Sequence, residues 1–206
     1  MVEVLDIAIQ GGVGSYHEQA ARQYFGKQAQ IQYCETFADV FAAVEQGETR
    51  YGVVASGNTI YGAITEVHDL LRRHARKVAA VADTGLTIHH CLIGLPGSHL
   101  QDITTVHSQH MALAQCERFL HETIPHAKWV EEADTAGSVA LIKAQGNRAA
   151  AAVASRAAAK HHSMLILQEN VEDYPGNYTR FLILEKAEAK VLGRSVRQPL
   201  QPASTH

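Results

Sequence analysis

Val78-Ala79-Ala80-Val81-Ala82-Asp83-Thr84-Gly85-Leu86-Thr87-Ile88-His89-His90-Cys91-Leu92-Ile93-Gly94-Leu95 divides the chain into two halves of similar pattern. Residues 78–82 and 86–95 are β-like runs, and the Thr84-Gly85 step between them reads as a break. Upstream, strand patterns at 4–10, 29–34 and 51–55 alternate with helical patterns that begin at Ser15, Phe37 and Ala63. Downstream the alternation restarts, with strands at 104–107, 128–130, 149–154 and 165–167 and helices at 111–123, 135–144 and 156–162. Such alternation predicts parallel sheets covered by helices. Two rounds of it predict an α/β protein of two lobes with a central cleft, where ligands commonly bind. The expected division is 1–84 for the first lobe, 85–177 for the second, a return to the first over 178–192, and a polar tail at 193–206.

Helix starts carry their own signals. Ser15-Tyr16-His17-Glu18 fits a capping box, in which hydroxyl and carboxylate each satisfy an orphan amide. Thr36 precedes Phe37, Val40, Phe41 and Val44, which fall on one helical face. Ser155 is placed to cap the helix over 156–162.

Composition excludes several classes. Of 206 residues, 46% are apolar and 19% charged, which is the balance of a folded chain with a sizeable core. No apolar run reaches the length of a membrane span, and the acidic start lacks the basic and apolar regions of a signal peptide. Cys34, Cys91 and Cys116 form no close pair and read as reduced thiols in a cytoplasmic protein. A net charge of −3 gives no footprint for nucleic acid, and the basic patch Arg72–Lys77 reads as a solvated helix end. Thirteen histidines include no metal-binding spacing, and His89 and His90 point to opposite faces if they lie on a strand. No metal is expected.

Gly12-Val13-Gly14 between strand and helix, with Glu35 about twenty residues on, invites a dinucleotide reading. His17 occupies the third glycine position and argues against it, so no cofactor is expected. No Gly-x-Ser-x-Gly elbow occurs. Ser56-Gly57-Asn58-Thr59 follows a strand end and reads equally as a ligand-facing loop and as a plain turn. Asn177-Tyr178-Thr179-Arg180-Phe181 places a hydroxyl beside a fixed cation at the start of the last strand. There Thr179 can hydrogen-bond a leaving group while Arg180 pairs with a carboxylate.

Taken in order, these pieces resemble one family. Ile7-Ala8, Gly14-Ser15-Tyr16, Thr36-Phe37, Asn58-Thr59, Leu86-Thr87-Ile88, Val106-His107-Ser108, Ala112 through Cys116 and Asn177 through Phe181 follow the pattern of prephenate dehydratases over roughly residues 4–186. The resemblance implies a fold like the type II periplasmic binding proteins and a small-molecule substrate, prephenate or arogenate. It implies a lyase that converts prephenate to phenylpyruvate with loss of water and carbon dioxide, without a cofactor. Thr179 would assist loss of the ring hydroxyl. Asn58, Thr59, Thr87, Ser108, Gln115 and Arg180 would line the cleft and orient the substrate. A homodimer is expected from the family's habit of association.

Three positions depart from the family pattern. Pro-Ile-Glu is Ala55-Ser56-Gly57, His-Pro-Gln is Gln109-His110-Met111, and a hydroxyl in the first helix is His17. The helix dipole at that helix start disfavours a charged imidazole at 17. Loss of the acid at 57 leaves two other readings open, a prephenate decarboxylase that keeps the hydroxyl and a non-catalytic binding relative. About twenty residues after Leu184 leave no room for the family's phenylalanine-binding domain, so a catalytic-type domain without phenylalanine feedback is expected.

Overall fold

Apolar residues alternate between two helix layers in each half of the chain, and this builds two α/β lobes. The computed structural model describes residues 6–187; the expected polar tail at 193–206 lies outside them, as do residues 188–192. Asp6–Gln10 (β1), Gln30–Cys34 (β2) and Tyr51–Asn58 (β3) form a parallel trio, joined by helices Tyr16–Phe25 (α1) and Phe37–Gln46 (α2). The short strand Gly62–Ala63 (β4) folds back on β3, and helix Thr65–Arg73 (α3) leads to Val78–Thr87 (β5). Cys91–Gly94 (β6) enters the second sheet. Thr105–Ser108 (β7), Lys128–Glu131 (β8) and Ala150–Ala154 (β9) form its parallel trio, with helices His110–Gln115 (α4), Glu117–Thr123 (α5) and Thr135–Gln145 (α6) between them. Arg156–His162 (α7) and Leu165–Glu169 (β10) follow, and the chain returns as Tyr178–Lys186 (β11).

The two sheets share one plan. The first has the order β2-β1-β3-β11-β5 and the second β8-β7-β9-β6-β10. In each, a parallel trio is followed by two antiparallel strands. The fourth place is filled by a strand that has just crossed from the other lobe, β11 in the first sheet and β6 in the second. Residues 88–90 and 170–177 are therefore the two crossings.

Sheets covered on both faces need apolar residues on both sides of their strands. Ile7, Ile9, Val53, Ala55, Phe181 and Ile183 pack toward α1, whereas Ala8, Val54 and Leu184 pack toward α2 and α3. Val40, Phe41 and Val44 of α2 are fully buried, as their spacing predicts. Emptying the Phe41 site alone is worth about 3–5 kcal/mol. Thr36 caps α2 in a complete capping box with Asp39. Ser15 caps α1, but Glu18 reaches back one residue further than the box requires and accepts from Gly14 N at 2.6 Å.

Two expectations are corrected by tertiary packing. Gly85 does not break β5, which runs unbroken from Val78 to Thr87. Tyr178 lies over the glycine: a Cβ there would fall 1.8 Å from the Tyr178 hydroxyl, so any larger residue has to displace that exposed ring. The helix expected over 111–123 is two helices meeting at Cys116. The Asp173 carboxylate of the second crossing accepts from Arg118 N at 2.9 Å and Phe119 N at 3.2 Å, capping a new helix start there.

The glycine-rich turn joins the lobes. Gly14 has φ +83°, and a Cβ on it would lie 2.5 Å from Ala158 Cα at the start of α7. Ser155, the N-cap of α7, donates its hydroxyl to Gly14 O at 2.6 Å. Glu35, expected where a ribose-binding acid would stand, is exposed beyond the end of β2. Gly14→Ala is expected to cost about 2–5 kcal/mol in stability, from a left-handed backbone and a backbone clash. A Cβ on Gly12 would meet nothing within 4 Å, so Gly12→Ala should cause no loss. Urea midpoints of the two variants check this; equal midpoints would refute the role of Gly14.

Candidate active site

The carboxyl ends of β1, β3 and β7 and the helix starts that follow them face each other across the cleft. They enclose a cavity of about 300 Å³. The first lobe contributes Gln10, Ser15, Tyr16, His17, Phe37, Ala55, Asn58, Ile64 and Glu66. The second contributes Gln109, Met111, Gln115, Asp134 and Thr135, and the crossings and β11 add Ile88, His90, Thr179 and Phe181.

One chain of hydrogen bonds runs along the cavity from lobe to lobe. Ile60 N–H donates to Asn58 Oδ1 at 2.9 Å, which fixes the orientation of that amide. Asn58 Nδ2 then donates to Asn177 Oδ1 at 2.7 Å and to Thr179 Oγ1 at 2.9 Å. With its oxygen so used, Asn177 donates through Nδ2 to Gln115 Oε1 at 2.7 Å. The same oxygen lies 2.7 Å from His90 Nε2, which must carry a proton to meet it. His90 Nδ1 is 2.9 Å from the Tyr16 hydroxyl, which also lies 2.9 Å from His89 O.

This polarity leaves two donors free. Thr179 is a hydrogen-bond acceptor from Asn58, so its own proton is available to the cavity. Gln115 spends its oxygen twice and keeps its NH₂ for the cavity, although the residue is only 7% exposed. Asn58, by contrast, has both ends of its amide committed to the protein.

His17 adds a third donor. Its Nε2 accepts from Ala55 N–H at 3.2 Å, which puts the ring proton of the neutral form on Nδ1. Phe37 and Phe181 flank the ring at 5.6 and 5.2 Å. Burial in this apolar setting lowers the His17 pKa to about 4. Burial likewise lowers that of His90 and raises that of Tyr16. All three stay neutral near pH 7.

Of the residues expected to line the cleft, Thr179, Asn58 and Gln115 do so. Thr59, Thr87, Ser108 and Arg180 are not part of the lining. Thr59 Oγ1 donates to Gly176 O at 2.9 Å and accepts from Tyr178 N at 3.0 Å, tying down the second crossing. Thr87 is exposed at the end of β5, opposite Tyr178. Ser108 is fully buried and donates to Val153 O at 2.6 Å, pinning β7 to β9. Arg180 pairs with Asp83 at 3.0 Å and is largely in solvent, because neighbours on a strand point to opposite faces and Thr179 takes the inner one. Gly57 pairs with Arg180 across the sheet, and a Cβ on it would face Gly62 O at 3.4 Å in β4. Position 57 therefore points away from the cavity.

Tyr16, His90, Glu66 and Asp134 line the cavity without having been expected there. His90 carries a usable sequence signal, since it is flanked by Ile88 and by Cys91-Leu92-Ile93, and it is only 2% exposed. No group of three or more His, Cys, Asp or Glu able to hold a metal occurs among the described residues. No described helix is long and apolar enough to cross a membrane.

Fold and site together define a two-lobed α/β domain with a neutral donor triad in its cleft. The family model for prephenate dehydratase matches residues 7–189, and the chain belongs to that family. It is 33% identical to a bifunctional chorismate mutase/prephenate dehydratase of Aquifex aeolicus over 92% of this chain and 51% of that protein. It is 37% identical to the chloroplastic arogenate dehydratase 5 of Arabidopsis thaliana over 88% of this chain and 42% of that protein. The chain thus spans about half the length of these curated relatives. Among solved structures, a prephenate dehydratase of Arthrobacter aurescens in complex with L-Phe superposes with a TM-score of 0.80 at 23% identity, over 90% of this chain and 61% of that one. A nutrient-binding protein of Burkholderia cenocepacia bound to methionine gives 0.50 at 14% identity, over 92% and 88% of the two chains. The architecture is that of the type II periplasmic binding proteins.

Stability should report the buried imidazole. Between pH 6.5 and about 4 an unfolded His17 binds a proton that the folded form excludes. The His17 contribution to stability therefore falls as pH drops through that window and levels off below it. His17→Asn should flatten the fall, measured by urea denaturation at several pH values; an unchanged slope would refute the neutral, buried His17.

Proposed function

We propose that the cavity catalyses the family reaction, loss of the ring hydroxyl and ring carboxylate from prephenate or its amino relative arogenate. The observation that carries this is the Thr179 hydroxyl, held as an acceptor by Asn58 at 2.9 Å with its proton toward the cavity. In the reaction the bond from ring carbon to carboxylate breaks and carbon dioxide leaves. Its electron pair enters the ring, which becomes aromatic as the opposite carbon–oxygen bond breaks. Hydroxide departs with that bond's electrons and takes up a proton to become water. Thr179 donates a hydrogen bond to the departing oxygen as its negative charge grows, and solvent replaces any proton transferred. Preorganised donors aimed at developing charge are among the strongest contributions to enzymatic rate. Asn58 acts through Thr179 as a positioning residue.

The decarboxylase reading took its support from the missing acid at 57. An acid there would start from outside the cavity, beside Arg180 and β4, and this supports the dehydratase reading instead. Gly57→Glu is accordingly expected to change kcat/KM by less than about threefold, far below the loss that follows removal of an assisting acid. Thr179→Ala should lower kcat about 10²–10⁴-fold with an intact fold, and Thr179→Ser should recover most of it. Mass and absorbance of the product decide the class. Phenylpyruvate from prephenate, or phenylalanine from arogenate, is expected; a product that keeps its hydroxyl would replace this reading with the decarboxylase one.

The finer setting is also proposed. Three free cysteines suit the reducing cytoplasm. A homodimer is supported by apolar residues left open on the first lobe, Val81 at 50% exposure and Tyr178 at 44%. Light scattering should give twice the mass of one chain; a monomer at micromolar concentration would overturn it.

A further inference from the structure

Among the described residues, the charged side chains that line the cavity carry only one sign of charge. Glu66 stands on the first turn of α3 in the first lobe, and Asp134 caps α6 in the second. No Lys or Arg lines the cavity among the described residues. The cation nearest to Thr179 in the chain, Arg180, is on the outer face of β11 with Asp83. His17 and His90 are neutral through burial and offer no counter-charge near pH 7.

Asp134 is held in place by its capping bond, Gly137 N to Oδ1 at 2.7 Å. That oxygen lies 4.0 Å from where a side chain on Gly11 would begin, so the carboxylate faces the β1–α1 turn across the cleft. Gln115, more than nine-tenths buried, aims an unpartnered NH₂ into the same cavity, and Thr179 an unpartnered O–H. The cavity thus offers neutral donors for carboxylates and two anionic groups that call for a cation.

Prephenate and arogenate differ in that respect. Prephenate carries two carboxylates and a keto group, net −2. Arogenate carries an ammonium in place of the keto oxygen, net −1. A dianion would put four negative groups in one cavity with no positive partner, and burial strengthens that repulsion. Resting on the dehydratase reading, we infer that the cavity selects the amino substrate, with Asp134 and Glu66 receiving its ammonium from opposite lobes. A neutral setting also suits the ring carboxylate, since no guanidinium holds back the charge that must leave it as carbon dioxide.

Steady-state kinetics with both substrates test the inference. The unsubstituted protein should show kcat/KM at least about tenfold higher for arogenate, the factor that roughly one lost charge pair produces. Asp134→Asn keeps the helix cap, because asparagine and aspartate cap equally well, and removes only the charge. Asp134→Asn and Glu66→Gln should each raise KM for arogenate and leave kcat nearly unchanged, while KM for prephenate falls. Preference for prephenate in the unsubstituted protein, or variants that shift both substrates alike, would overturn the selection. Turnover of neither substrate would sink the dehydratase reading itself. Calorimetric binding then still decides the charge preference: tighter binding of arogenate upholds it, and equal or weaker binding overturns it.

Discussion

The hydrogen bond from Ile60 N–H to Asn58 Oδ1, 2.9 Å long, orders the whole site. A backbone amide can only donate, so the Asn58 side chain cannot turn over. Every later bond inherits its direction from that one. Asn58 gives both protons away, Asn177 must then give to Gln115, and Gln115 must take from His90. Buried amides linked in this way polarise one another and lose heavily if one link is left unmade. The chemistry follows from the ends of the chain, where Thr179 and Gln115 keep donors that no group among the described residues uses.

The same network binds the two lobes together. Asn58 and Thr179 belong to the first sheet, Gln115 to a helix of the second, and Asn177 and His90 to the two crossings. A break in α4–α5 at Cys116, enforced by the Asp173 carboxylate, ends α4 at the point where Gln115 meets Asn177. Gly14 against Ala158 and Ser155 against Gly14 O join the two lobes at a second place. The position of the donors relative to each other is therefore a property of lobe closure as much as of any one element. Its charge is a separate matter: with Arg180 outside, the described residues that line the cavity are acidic and neutral alone.

Much of this is legible from residue order. The period of Phe37, Val40, Phe41 and Val44 gives the buried face of α2, and Thr36 its cap. Continuous apolar runs in β1 and β3 give sheets buried on both faces. What residue order hides has definite causes. Strand alternation puts Thr179 and Arg180 on opposite faces of β11, yet adjacency in the motif suggests a shared role. Gly85 looks like a break because the side chain that lies over it, Tyr178, arrives from 93 residues along the chain, at the other end of the second lobe. Gly57 looks like a lost cavity acid because a bulge between Arg180 and Phe181 shifts the register just where Ala55 and Asn58 face inward.

By itself the sequence determined the order of strands and helices, the two-lobed plan and the family, because each rests on local periodicity, capping and motif order. Only the tertiary structure decided which side chains share the cavity and which way their hydrogen bonds run. Those bonds join residues 119 and 62 positions apart, from Asn58 to Asn177 and from Asn177 to Gln115. Their directions depend on sheet register and on how two lobes meet, and neither quantity is encoded in any short stretch of the chain.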